Sequence, residues 1–293
     1  MVEATSDAVV EVRVVRTTGD NIQDRPLPEI GGKGLFTAEL DSALLGGEID
    51  VAVHSLKDLP TVLEPGLELA AIPLREDPRD VLVTADDRTF RSLRGLPLNA
   101  VVGTSSVRRM AWALAARPDL DVRPIRGNVG TRIQKLADGP YDALLLAGAG
   151  LRRLGLEERA GQWLDRTYWT PAPGQGALGI VARTGDAATG ALLAPLEDAP
   201  TRAAATLERE FLSALGSGCS LPVGAIGLPF DGGIRGWAMV ASRDGQRVLR
   251  VDRTGRASAA RALGRGLAEI LLARGAGELL APFEATPSGG VEA

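Results

Sequence analysis

Strand-like and helix-like segments alternate through the first two-thirds of the chain, and no other feature constrains its fold more. Val9 to Arg16 is rich in β-branched residues and reads as a strand. Leu35, Phe36, Leu40, Ala43 and Leu44 fall near helical spacing. Short apolar runs follow at Ile49 to Val53, Ala100 to Val102, Val122 to Ile125 and Asp142 to Ala147. Between them the spacing predicts a helix with Val107, Met110, Ala111 and Leu114 on one face, another over about Gly130 to Ala137, and a third starting near Gly150. Such alternation implies an α/β fold with a mainly parallel sheet covered by helices.

The chain is too long for one small core, so two or three domains are expected from its 293 residues. Polar, proline-containing breaks at Arg75 to Asp80 and Thr170 to Gly176 read as linkers. The tail changes pattern. A helix from about Arg202 to Leu215 leads into the loop around Cys219. Strands at Gly236 to Ser242 and Arg247 to Arg253 flank the turn Arg243-Asp244-Gly245-Gln246. A helix from about Ala257 to Ala273 closes a small α+β unit, and the last ten residues read as disordered.

Three strand-to-helix junctions share one design: Gly103-Thr104-Ser105-Ser106-Val107-Arg108-Arg109, Arg126-Gly127-Asn128-Val129-Gly130-Thr131-Arg132 and Ala147-Gly148-Ala149-Gly150-Leu151-Arg152-Arg153. Each puts glycine or hydroxyl residues at a helix N-terminus with arginines within a turn. Free N–H groups and the helix dipole favour an anion there, and arginine adds a fork that matches carboxylate or phosphate. Any one loop also reads as an ordinary cap with solvated arginines. Three of them converging on the C-terminal edge of one sheet favour a polyanionic ligand. No Walker loop or dinucleotide fingerprint is present.

A fourth loop, His54-Ser55-Leu56-Lys57-Asp58-Leu59-Pro60, holds the single histidine and one of three lysines. Asp58 could stabilise a cation or move a proton; it also reads as a surface residue of a turn. His54 reads as a structural, hydrogen-bonding residue. With one His and one Cys, a metal site or Cys-His dyad has no support, and no metal is expected. Cys219, the single cysteine, reads as an inert buried thiol, a nucleophile or a point of covalent attachment. A net charge of −4 argues against a general nucleic-acid binder. No apolar run is long enough to span a membrane. The opening residues lack a secretory signal, so a cytoplasmic protein is expected.

Read together, these loops resemble the porphobilinogen deaminase (hydroxymethylbilane synthase) family. The matching segments, in the family's order, begin with Gly31-Gly32-Lys33-Gly34-Leu35-Phe36, Ala52 to Pro60, and the junctions at Gly103 and Arg126. They continue with Leu151 to Leu156, Pro171 to Ala177 and Gly218-Cys219. The resemblance implies two sheet domains like those of periplasmic binding proteins plus a small C-terminal α+β domain. The implied boundaries are 1–76 with 176–197, 77–175, and 198–293. It implies a dipyrromethane cofactor held by Cys219 through a thioether. The implied reaction joins four porphobilinogens into linear hydroxymethylbilane, releasing ammonia each time through a cationic azafulvene. Asp58 takes the place of the catalytic aspartate. Lys57, Ser106, Arg108, Arg109 and Arg132 would bind the cofactor with Cys219. Arg126, Arg132 and Arg153, with Ser55 and Gln175, would bind carboxylates of the substrate and growing polypyrrole. Lys33 and Phe36 would lie on a mobile active-site loop. Domains are expected to shift as the product lengthens, and a monomer is expected with no nucleic-acid or membrane partner.

The family's opening strand, Thr-Arg-x-Ser-x-Leu-Ala, has no counterpart here. Val12 to Asp20 resembles the family's second strand, so the first sheet is expected to be short of one strand and helix. Two alternatives stay open on the residues: an inactive truncated paralogue, and a binding protein for small carboxylates on the same sheet architecture.

Overall fold

A computed structural model describes residues 2–5, 8–15, 37–85, 90–216 and 221–284. Helices α1 (Val2–Thr5) and α2 (Ala38–Leu45) precede strands β1 (Val51–Ser55) and β2 (Leu67–Ala71). Then come β3 (Asp80–Thr84), β4 (Val101–Gly103), α3 (Val107–Ala116), β5 (Asp121–Arg123) and α4 (Val129–Asp138). β6 (Ala143–Ala147), α5 (Gly148–Arg153), β7 (Ala160–Trp163) and β8 (Leu178–Arg183) follow, with α6 (Ala187–Leu193) and α7 (Ala199–Ala214). The last described elements are β9 (Val223–Phe230), β10 (Gly233–Ala241), β11 (Val248–Arg256), α8 (Ala260–Ala273) and α9 (Ala276–Glu284).

The strands form three sheets ordered β1-β8-β2, β5-β4-β6-β3-β7 and β11-β10-β9. In the second sheet β5, β4 and β6 run parallel, while β3 is antiparallel to both β6 and β7. The first sheet is antiparallel in both described pairings. The expectation of a mainly parallel sheet therefore holds only for the β5-β4-β6 core. The physical reason is chain routing. β8 enters between β1 and β2 only after the chain has built the second sheet and returned, so its direction is set by a long-range crossover.

Period-2 alternation distributes the apolar residues of the second sheet to two cores. Leu82 and Leu145 face one side with Val102, Ala111 and Trp112. Val81, Val83, Leu144 and Leu146 face the other with Ile125 and Leu151. Burial on both faces accounts for continuous apolar strands such as Ala143–Ala147.

Residues 8–15 carry no strand, contrary to the expectation for Val9 to Arg16; Arg16 itself lies outside the described residues. Val9, Val12 and Val14 are largely exposed. β-branched residues favour extended backbone, but a strand also needs a neighbour to take its hydrogen bonds. The helix expected from Leu35 is described from Ala38, and residues 35 and 36 lie outside the described range, as do residues 285–293 of the tail expected to be disordered.

The third sheet is a meander packed by α7 and α8. Asp198 caps α7 by accepting a hydrogen bond from Thr201 N at 2.8 Å, and Pro200 sits within its first turn. Leu207 and Phe211 face the core with Ala225, Ile234 and Leu267. Glu208 is fully buried on the same helix. Its carboxylate accepts hydrogen bonds from Arg75 Nη1 (2.6 Å) and Nη2 (3.1 Å), from Gly174 N (2.6 Å) and from Gly227 N (2.9 Å). Arg75 and Gly174 belong to the two crossovers between the first and second sheets, so one carboxylate ties both to the third.

Helices α7 and α8 cross with almost no gap. A Cβ at Gly264 would lie 2.2 Å from the Leu207 carbonyl oxygen. Gly264→Ala is expected to force the helices apart and cost about 1–3 kcal/mol. Urea denaturation of the purified variant measures this, and an unchanged midpoint would contradict the close approach.

Candidate active site

The C-terminal ends of β4, β5 and β6 lie side by side, so the three glycine- and arginine-bearing junctions open on one edge of the second sheet. A cavity of about 220 Å³ lies there. Gly127 to Val129 and Arg132 line it after β5, Ala149, Gly150 and Arg153 line it after β6, and Arg109 reaches it from α3. Ser55 contributes from the end of β1, Lys57 from the 3₁₀ turn after it, and Gln175 and Gly176 from the return crossover. Among the described residues, four cationic side chains line this cavity and no acidic one does.

The backbone aims several of these groups. Asn128 caps α4, its side chain accepting from Thr131 N at 2.9 Å. Arg132 Nε donates to the Gly127 carbonyl at 2.7 Å, folding that arginine over its own loop. Arg153 Nη2 donates to the Gly176 carbonyl at 2.9 Å and bridges the second sheet to the crossover. Burial pushes the Arg132 pKa down, and the neighbouring charges of Arg109 and Arg126 push it further. Burial also lowers the Lys57 pKa; Asp58 opposes that, and Arg109 adds to it. A bound polyanion would relieve this mutual repulsion.

Beneath the cavity, Asp80 is fully buried at the start of β3. It pairs with Arg108 Nη1 at 2.6 Å and Arg109 Nη2 at 2.8 Å. It also accepts from Trp169 Nε1 at 2.9 Å and Gln175 Nε2 at 2.8 Å. Burial alone would raise its carboxyl, but Arg108 and Arg109 outweigh that and hold it well below the usual carboxylate range. The reading of Arg75 to Asp80 as a mere linker is thus corrected at its last residue. Asp80 is the missed residue of this site. Its position right before an apolar β-branched run was the one available signal.

The expected site residues divide. Ser55, Lys57, Arg109, Arg132, Arg153 and Gln175 meet at the cavity. Arg108 does not line it: that side chain is 3% exposed and donates to Asp80 and to the Thr170 carbonyl. Ser106 is the N-cap of α3, accepting from Arg109 N at 3.4 Å, and is not a lining residue. Arg126 does not line it either, although its charge acts on Arg132. Asp58 ends the 3₁₀ turn Leu56–Asp58, directly after Lys57, and is open to solvent. Crowding by surrounding protein still raises its carboxyl above the ordinary range, against the pull of Lys57, His54 and Arg109. His54 is 8% exposed on β1 and its Nε2 has no hydrogen-bond partner among the described residues. Burial lowers its pKa, favouring the neutral ring. Cys219, Lys33 and Phe36 lie outside the described residues.

Cations converging from several loops on one cavity define a mixed α/β protein with a cleft for a polycarboxylate or phosphate ligand. The profile described as "Porphobilinogen deaminase, dipyromethane cofactor binding domain" matches residues 1–191, and "Porphobilinogen deaminase, C-terminal domain" matches residues 203–273. The chain belongs to the porphobilinogen deaminase family. It is 52% identical over 271 residues to a porphobilinogen deaminase of Desulforudis audaxviator, and 47% identical over 271 residues to one of Syntrophobacter fumaroxidans. Each alignment covers 92% of this chain and 87% of the relative. A Roseiflexus castenholzii porphobilinogen deaminase is 49% identical over 93% of this chain and 88% of its own length. Among the described residues, no helix is long and apolar enough to cross a membrane.

Proposed function

We propose that this chain is a hydroxymethylbilane synthase that condenses four porphobilinogen molecules into a linear tetrapyrrole, releasing one ammonia at each step. The observation that carries the reading is the cavity lined by Lys57, Arg109, Arg132 and Arg153, with no carboxylate among its described lining residues. Every pyrrole of the substrate bears an acetate and a propionate, so cofactor and product are polyanions that such a donor set fits. Cys219 would hold the dipyrromethane as a thioether, and that group would supply the pyrrole to which the first unit is added.

This chain's residues then divide the work. Lys57, Arg109 and Arg132 bind and orient carboxylates. Arg153, with Ser55 and Gln175, receives those of the incoming unit, and Arg126 adds positive field behind Arg132. Arg108 serves indirectly, as a brace on Asp80, and Ser106 by capping α3. Asp58 stabilises the cation left when ammonia departs and holds pyrrole N–H groups. A fixed carboxylate near developing positive charge lowers the barrier because it needs no reorganisation during reaction. Lys33 and Phe36 would act from a loop beside the cleft. We assign residues 1–76 with 176–197, 77–175 and 198–293 to three domains, the first two related to periplasmic-binding-protein sheets, and place the protein in the cytoplasm as a monomer.

Intact-mass measurement tests the anchor. Freshly expressed protein should carry the added mass of a dipyrromethane, and Cys219→Ser should lack it. An unmodified mass in folded wild-type protein would remove the reading.

A further inference from the structure

Helix α7 reaches the Lys57–Asp58 turn from the third sheet. Arg209, in its second half, donates to three successive carbonyls just beyond Asp58. Nη1 reaches Leu59 O at 3.4 Å, and Nη2 reaches Pro60 O at 2.6 Å and Thr61 O at 3.1 Å. One turn earlier on the same helix, Ala205 packs in the apolar cluster that holds Leu56 and Leu59. The turn that presents Asp58 is therefore gripped twice by one helix, by packing beneath and by a guanidinium clamp on the irregular segment that leaves it. A further support of the turn comes from the return crossover, where Leu56 N donates to Ala177 O at 3.0 Å. Neighbouring Glu208 fixes that crossover to the same helix through Gly174.

We infer that Arg209 is a positioning residue for Asp58, setting the carboxylate's place in the cleft from the third domain. This rests on the reading of Asp58 as the catalytic carboxylate. Arg209 is not among the described residues that line the cavity, and its grip on the turn is on backbone carbonyls. A planar guanidinium that holds the carbonyls of three consecutive residues restricts the conformations open to the loop, so the clamp favours the one seen. A displacement of about 1 Å in a catalytic group costs on the order of 10²-fold in rate.

The test compares Arg209→Met, which keeps an unbranched chain and removes the donors, with Arg209→Lys, Asp58→Asn and the double variant Arg209→Met/Asp58→Asn. Porphobilinogen consumption, intact mass and thermal midpoint are read for each. Arg209→Met should lower kcat on the order of 10-fold or more with KM changed little, while keeping the cofactor mass. Arg209→Lys, which retains a cationic donor, should recover a substantial part. The double variant should be no slower than Asp58→Asn alone, because the two residues act through one group. Full-speed Arg209→Met beside a slow Asp58→Asn would overturn the inference and leave the Asp58 reading standing. Multiplying losses in the double variant, or loss of cofactor mass in Arg209→Met, would likewise overturn it. A near-normal rate for Asp58→Asn would remove the Asp58 reading and this inference with it. Should Arg209→Met fail to fold, the decision passes to Arg209→Lys: a kcat defect with unchanged melting supports positioning, and wild-type kcat overturns it.

Discussion

Asp58→Asn should keep its covalent primer and lose nearly all turnover. The amide matches the carboxylate in shape but brings no negative charge to the developing cation. Removing one preorganised electrostatic partner costs roughly 10²–10³ in kcat. Single-turnover assays with porphobilinogen and intact-mass analysis on the same preparation separate the two properties. Two further consequences follow from the raised Asp58 carboxyl. The wild-type rate should fall on the acid side at a pH above that of an ordinary aspartate, because the ionised form is the working one. Stability runs the other way. A carboxyl whose folded pKa exceeds its unfolded pKa favours the folded state below both values and loses that contribution as pH rises through the folded value. At neutral pH the ionised group is a liability, so Asp58→Asn should melt slightly higher than wild type. A variant that is both slower and less stable at neutral pH would contradict this account.

Asp80→Ala is expected to produce the largest loss of stability, about 3–5 kcal/mol. The alanine would strand the Arg108 and Arg109 guanidiniums, which are 3% and 6% exposed, without their counter-charge. It would also leave the Trp169 and Gln175 donors unmatched. Urea denaturation at neutral pH measures the effect. The depressed Asp80 carboxyl gives the pH test its sign: the stabilisation is complete above the unfolded aspartate value and disappears as pH falls through the folded one. The wild-type protein should therefore lose this increment in acid, and Asp80→Ala, having no such group, should not. Equal acid sensitivity in both would show that the paired arginines do not depend on Asp80.

Much of the ligand-facing architecture was legible because it is local. A glycine or asparagine before a helix, with an arginine one turn on, has the same meaning wherever the helix packs, and Asn128 to Arg132 behave that way. The tail strands were legible from the Asp244-Gly245 turn, since β10 and β11 pair on either side of it. What was hidden is long-range. The sequence predicts that α3 buries Val107, Met110, Ala111 and Leu114, whereas its buried face carries Arg108, Arg109, Ala111 and Trp112. Hydrophobicity patterns treat two arginines as solvated; a carboxylate brought from β3 is what makes their burial affordable. β8 was missed because its neighbours, β1 and β2, are distant in sequence. β9 carries two glycines and a proline, which weaken any strand pattern, although it pairs with β10 along its whole length.

The two crossovers have a mechanical consequence. They touch backbone to backbone: Glu76 N donates to Gly176 O at 3.2 Å, and a Cβ at Gly176 would lie 2.5 Å from the Glu76 carbonyl. Glu208 fastens both from below. Rotation of either outer sheet about this junction makes the junction the fulcrum, and α7 rides on the fulcrum, not on a lever arm. From Glu208 to the end of α7 is about 9 Å along the helix axis, at the usual rise per residue. In such a rotation the end of α7 would sweep a short arc while the lever tips travel far. A rotation of that kind re-spaces the cleft walls while the end of α7 stays nearly still.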